Sequence, residues 1–294
     1  MIPALLTLAR RALTGEASIA RGSAVIAAVS GGPDSMALLH VLARLAPKLG
    51  IVVHAHGVDH GLRPEACREL DAAEAFAKQL GVPFGRTAVE LSRGGNLQAR
   101  ARTARYAALA GAARAVGART IATAHHADDR AETVLLRLLR GAGPRGLAAL
   151  PARAPLDAAP APAPAPGAIE LVRPLVRARR RSVIAHLERH AVPFAADPSN
   201  EDPRYLRTRV RRELLPLLEA LSPGIVEHLV ALADQLGALG GDSPSGFPLP
   251  RSTQTALADL VRSRSATARV WLPGGLVVTL DPRARPGPRG EDPD

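Results

Sequence analysis

The stretch that most constrains the fold runs from Ala24 to Leu42. Ala24-Val25-Ile26-Ala27-Ala28-Val29 is a short apolar run with the character of a buried strand, and Met36 to Leu42 reads as a helix. Between them stands Ser30-Gly31-Gly32-Pro33-Asp34-Ser35. A strand, a glycine turn and a helix start, in that order, form an anion trap. The glycines let backbone N–H groups approach a phosphate, and the helix start adds unpaired donors and the positive end of its dipole. Pro33, Asp34 and Ser35 suit a first helical turn. The same residue types would also make an ordinary strand-to-helix turn.

The stretch is not a Walker A loop, which needs a longer spacing and a lysine followed by Ser or Thr. The hexapeptide instead resembles the PP-loop of the ATP pyrophosphatases. That resemblance implies cleavage of ATP between its α and β phosphates, with pyrophosphate held by Ser30 to Ser35.

Further along, apolar runs and helical patterns alternate. Ile51 to His56 is a second strand, Pro64 to Leu80 a helix, Phe84 to Leu91 a third strand, and Thr120 to Ala124 a fourth. Ile169 to Leu175 suits a fifth strand, and a helix follows from Arg177 to about His190. This alternation predicts an α/β fold with a parallel five-stranded Rossmann-like sheet and helices on both faces. Residues 1–22 read as an amphipathic lead-in helix. Pro151 to Gly167, with Pro160, Pro162, Pro164 and Pro166 alternating with alanine, reads as a polyproline-like loop inside the domain. The expected catalytic domain is 1–221. It is followed by a small, mostly helical domain over 222–280, with a hairpin around Pro273-Gly274-Gly275, and a disordered tail over 281–294.

Ligands in such sheets bind beyond the carboxyl ends of the strands, which singles out three segments besides the glycine turn. In and just beyond the second strand stand His54, His56, Asp59, His60 and Arg63. The histidines invite a metal reading, but ordinary polar residues at a strand end account for them better, since a zinc site would need two more ligands. In the helix from Asn96, Arg102 and Arg105 share a face, with Tyr106 beside them. Paired guanidinium groups can grip phosphate, or can form a solvated basic face. After the fourth strand, His126 and Asp129 stand three apart at a helix start, where an imidazole can move a proton and a carboxylate can hold magnesium or an amine. Helix capping by Asp128 and Asp129 is the alternative.

Charge adds a partner class. Lys and Arg total 38 against 27 acidic residues, a formal +11, which favours a polyanion. Only Lys48 and Lys78 are lysines, a usage that a GC-rich genome also explains. The densest basic cluster is Arg204, Arg207, Arg209, Arg211 and Arg212 with Tyr205 beside it, suited to an RNA backbone and a stacked base, or to a solubilising helix face. The lone Cys67 provides no internal disulfide, cysteine metal cluster or two-thiol relay. No apolar run reaches the length of a spanning helix, and apolar Ile2 to Leu8 precedes Arg10 and Arg11, the reverse of a secretion signal. A cytoplasmic location with no membrane partner is therefore expected.

Taken in order, Ser30 to Ser35, Val58 to Arg63, Asn96 to Tyr106, His125 to Gly146, Arg173-Pro174-Leu175 and Asp197 to Leu217 resemble the tRNA(Ile)-lysidine synthetase family of PP-loop enzymes, over roughly residues 20–220. Arg130 departs from the family's usual glutamine and Thr208 from its usual asparagine. The resemblance implies ATP as co-substrate, Mg²⁺, free L-lysine, and an isoleucine tRNA with a CAU anticodon. It assigns Ser30, Gly31, Gly32, Pro33, Asp34 and Ser35 to ATP, with Asp34 also close to Mg²⁺. It also assigns Arg102 and Arg105 to the activated cytidine or α-phosphate, with Arg63 in support of them, and His126 and Asp129 to lysine or proton transfer. The oligomeric state stays open, a homodimer being one reading. A PP-loop tRNA thiolase and a non-catalytic nucleotide- or RNA-binding module are the rival readings.

Overall fold

The computed structural model describes residues 4–59, 61, 64–89, 97–156, 168–195, 205–241, 269–271 and 277–279. It divides into two compact units, Met1–Asp242 and Ser243–Asp294. In the first, α1 (Leu5–Thr14) leads into β1 (Ala24–Val29), α2 (Pro33–Leu49), β2 (Val52–Asp59), α3 (Pro64–Gln79), β3 (Phe84–Ala88) and α4 (Leu97–Ala115). There follow β4 (Thr120–Ala122), α5 (Ala127–Leu139), α6 (Pro144–Leu147), β5 (Arg153–Pro155), β6 (Glu170–Val172) and α7 (Arg180–Arg189). Last come α8 (Leu206–Arg209), a π-helical turn (Val210–Leu214), α9 (Leu215–Leu221) and α10 (Ile225–Gly241). In the second unit β7 (Arg269–Trp271) pairs antiparallel with β8 (Val277–Thr279), the expected hairpin.

The sheet runs β3-β2-β1-β4-β6-β5. The first five strands are parallel, as anticipated, and β5 is antiparallel to β6. This sixth strand lies inside the stretch read as a loop. Its position explains how a proline can take part: β5 is an edge strand, where Pro155 needs no ladder N–H, and Arg153 forms a bidentate ion pair with Glu170 across the pair. The rest of the alanine–proline run, 157–167, lies outside the described residues.

Alternation along β1 builds the two faces of the sheet. Val25, Ala27 and Val29 join a core with α1, α2, α3 and α7, through residues such as Leu13, Leu38, Phe76 and Leu187. Ile26 turns the other way and joins Leu109, Ala113, Ile121 and Leu171, which seats α4 on the opposite face. A third cluster joins α5 to α10 and the π turn, through Ala131, Leu135, Val210, Val226 and Val230.

That third cluster corrects the expected domain boundary after residue 221. Val226, Leu229, Val230 and Ala233 of α10 are buried against α5, so α10 closes the first unit instead of opening the second. Other differences are smaller. The N-terminal helix is confined to Leu5–Thr14, β2 extends to Asp59, and α7 begins only at Arg180. A helix over Thr253–Arg262 and the 281–294 tail lie outside the described residues. No single helix among the described residues is long and apolar enough to cross a membrane.

Candidate active site

The chain order of the parallel strands reverses between β1 and β4, and the crevice at their carboxyl ends is where such sheets bind ligands. A cavity of about 280 Å³ opens there, lined among others by Ser30, Asp34, Ser35, His56, Arg105, Tyr106, His125 and Asp129.

The glycine turn after β1 is held by its backbone conformation and by the hydroxyl of Ser35. Gly31 has φ +84°, and a Cβ at this position would lie 2.7 Å from the Glu69 carbonyl oxygen, so glycine is required on both counts. Gly32 is the N-cap of α2, with Pro33 in its first turn. The Ser35 hydroxyl turns back inside the loop. It donates to the Gly32 carbonyl at 2.9 Å, accepts from the Ser30 N–H at 3.1 Å and lies 3.2 Å from Ser30 Oγ. The backbone of Ala195 also donates to the Gly31 carbonyl, at 3.0 Å.

The turn after β4 is held by side chains instead. His126 is fully buried and caps α5 in a reciprocal box. Its Nδ1 accepts from the Asp129 N–H at 3.2 Å, and Asp129 Oδ2 accepts from the His126 N–H at 3.1 Å. Because Nδ1 accepts, the proton of the neutral ring sits on Nε2. Nε2 lies 3.7 Å from Asp34 Oδ1 and 3.5 Å from Asp129 Oδ2. Asp34 Oδ1 and His126 Nε2 are both buried without a hydrogen-bond partner. Asp34, His126 and Asp129, chosen from sequence, thus meet at one point.

Their electrostatics diverge. Burial, helped by Asp129, raises the Asp34 pKa above the usual aspartate value despite His126, Arg180 and Arg211. Burial also works against the Asp129 carboxylate, but His126, His125, the His126 backbone N–H and Arg207 outweigh it and hold its pKa below the ordinary value. His125, hydrogen-bonded through Nδ1 to Thr123 Oγ1 at 2.9 Å, is pushed down to about 3 by burial and by Arg173, Arg102 and Arg105, so it is neutral at pH 7.

Of the expected arginine pair, Arg105 lines the cavity and Arg102 does not. Their guanidinium groups lie 5.4 and 5.0 Å from the centroid of Tyr106. The basic cluster after residue 204 divides. Arg207 and Arg211 fold onto α5: Arg211 grips Glu132 through two bonds of 2.6 and 3.1 Å, and Arg207 bridges Glu132 at 3.1 Å and Asp129 at 3.2 Å. Arg209 pairs with Glu213 on the surface, and Tyr205 and Arg212 are exposed. His60, Arg63, Asn96 and Arg204 lie outside the described residues. His54 and His56 share a strand face as expected, and His56 bonds Thr87 Oγ1 at 2.9 Å; among the described residues no group of three or more His, Cys, Asp or Glu is arranged to hold a metal.

Sequence reasoning missed Glu132 and Asp128. Glu132 stands one turn after Asp129, so the spacing was a usable signal; its burial was not. Asp128 caps α7, accepting from the Arg180 N–H at 2.7 Å and from Arg179 at 3.1 Å. The family departure at Arg130 is structural: the side chain is buried, donates to the Ala149 carbonyl and pairs with Asp234 of α10 at 2.7 Å. Thr208, the other departure, is buried in α8.

Residues 7–218 match the PP-loop domain family. The chain is 42% identical over 223 residues to a tRNA(Ile)-lysidine synthase of Symbiobacterium thermophilum, covering 73% of this chain and 44% of that one. It is 40% identical over 240 residues to the tRNA(Ile)-lysidine synthase of Salinispora arenicola, covering 81% and 68%. The match thus spans about half to two thirds of the length of these relatives. Among solved structures, the U34-tRNA thiolase NcsA from Methanococcus maripaludis superposes with a TM-score of 0.65 over 79% of this chain and 77% of that one, at 20% identity, a likeness of fold alone. With its phosphate loop, its strand order and these relatives together, the chain belongs to the PP-loop family, in the branch of the tRNA(Ile)-lysidine synthases.

Proposed function

We propose that this chain is an ATP-dependent tRNA-modifying ligase, converting the wobble cytidine of a CAU-anticodon isoleucine tRNA to lysidine with release of AMP and pyrophosphate. The carrying observation is that Ser30, Asp34 and Asp129 line one cavity at the strand-order reversal, with His126 between the two carboxylates, in a chain about 40% identical to tRNA(Ile)-lysidine synthases.

The chemistry follows from the substrate. The cytosine 2-carbonyl is a poor electrophile because its oxygen leaves badly. That oxygen attacks the α-phosphorus of ATP and pyrophosphate departs. The side-chain amine of lysine then attacks C2 and AMP leaves with the oxygen, the amine giving up its protons. The turn at Ser30 to Ser35 and the N-terminus of α2 bind the departing pyrophosphate. Arg105 supports the α-phosphate from the cavity wall, and Arg102 does so from beside Tyr106. Asp34, an oxygen donor with an unpaired buried Oδ1 and a partly exposed carboxylate, suits Mg²⁺ held by one carboxylate plus phosphates, which would neutralise charge on the leaving group.

Lysine must attack as the free amine, although its reference pKa is about 10.4. Asp129, kept ionised, holds the ammonium until it loses a proton, and His126 orients Asp129 through the capping box. The second unit is assigned to recognition of the tRNA away from the anticodon. A thiolase reading finds a single cysteine in this chain, Cys67, where sulfur transfer through paired thiols needs two.

The test is direct. Purified protein mixed with tRNA, ATP and labelled lysine should place label in RNA and release AMP and pyrophosphate. ATP turnover without lysine in the RNA, or full activity in both Asp34→Ala and Asp129→Ala, sinks the proposal.

A further inference from the structure

The chain has four Phe, two Tyr and one Trp, so an aromatic ring left in solvent is scarce material on its surface. Phe76 is in the core, Phe84 packs against the same cluster, and Tyr106 packs against the cluster on the other face of the sheet. Phe194, in contrast, is 44% exposed. It is not on a loose segment. Val192, just before it, is buried and donates its N–H to the Leu187 carbonyl at 2.9 Å; Ala195, just after it, donates to the Gly31 carbonyl of the phosphate turn at 3.0 Å. The ring is therefore held in solvent on a backbone pinned on both sides, one of the pins being the glycine turn that leads into the cavity wall at Asp34 and Ser35. Tyr205, 53% exposed, leads into the helix whose Arg207 reaches Asp129.

We infer that Phe194 is a stacking platform for an unpaired RNA base flanking the nucleotide that enters the cavity. The inference rests on the function proposed above and names a contact of that site's RNA. A flat ring on a fixed backbone offers a face to any base, and such stacking is the usual grip on single-stranded loops, where bases can splay outward. The chain's +11 charge favours RNA as the partner. One ring is too little surface for a stable protein partner, which needs about 1,000 Å².

The experiment compares Phe194→Ala, Phe194→Leu and Phe194→Trp for kcat, KM for the tRNA, and ATP affinity by calorimetry. Phe194→Ala and Phe194→Leu should raise KM for tRNA about tenfold, while Phe194→Trp stays within about twofold of the parent and ATP affinity is unchanged in all three. Leucine serving as well as phenylalanine, or alanine leaving KM unaltered, overturns the platform. ATP affinity falling in step with KM also overturns it, because the ring would then act through the phosphate turn. If the parent chain makes no lysine–RNA product, the function proposed above fails. Filter binding of the tRNA to the same variants then still decides whether the ring grips RNA.

Discussion

The turn after β1 lines the cavity and the arginine-rich stretch from Tyr205 to Arg212 reaches its wall through Asp129, yet the two are held in opposite ways. The first is fixed by backbone geometry: a positive φ at Gly31, a cap at Gly32, and a serine hydroxyl folded inward. The second is fixed by charge, with Arg207 and Arg211 drawn from helix surfaces onto Asp129 and the buried Glu132. Where backbone conformation sets a site, residue identity alone reveals it. Where long side chains set it, the partner decides, and an arginine that looks like an RNA contact can be committed to a carboxylate.

The largest effect should come from the backbone side. Gly31→Ala forces a Cβ onto the Glu69 carbonyl at a φ that L-residues disfavour, and should destabilise the fold by about 2 kcal/mol or more and abolish ATP binding. Urea denaturation and calorimetry read both; normal ATP affinity would break the distinction. On the charged side, Glu132→Ala leaves two guanidinium groups without their buried partner. A loss of about 2 kcal/mol is expected, below the full value for a buried pair because Arg207 and Arg211 can turn toward water. A thermal midpoint unchanged by this variant would mean the arginines are not drawn inward at all.

A third measurement asks how acid affects the scaffold behind the phosphate turn. His40 of α2 and His186 of α7 share a hydrogen bond at 2.9 Å, and burial, with help from His190, lowers both to about 4. In the unfolded chain they titrate near 6.5, so between that value and about 4 the unfolded state binds more protons. Stability should therefore fall as pH drops through that window and level off below it. The urea midpoint at pH 7 and pH 5 tests this, and His40→Phe should flatten the slope. The smallest effect is expected from Arg209→Ala, whose pair with Glu213 is on the surface: no measurable change in midpoint, against the clear loss in Glu132→Ala.

The sequence was legible where local pattern and physical need coincide. The continuous apolar run Ala24 to Val29, the glycine turn after it and the alternation of strand and helix patterns predicted the central strand, the turn into α2 and the parallel order around them. It was illegible where distant partners decide. Arg153 to Pro155 gave no strand signal because three residues at a sheet edge take their conformation from Glu170–Val172 beside them. Ile225 to Gly241 read as the start of a new domain because nothing local shows that Val226 and Val230 pack against Leu135. Asp128 read as a cap for its own helix and instead caps α7, some fifty residues further along the chain.

By itself the sequence determined that a glycine turn follows a buried strand and opens a helix, since only certain residues tolerate those backbone angles. Tertiary structure alone decided the state of the acidic groups beside it. Asp34 is pushed up chiefly by burial, with Asp129 of α5 adding to it, and Asp129 is held down, against its own burial, by His126, His125 and Arg207 of α8; burial and Coulomb energies both depend on distance in space, not along the chain.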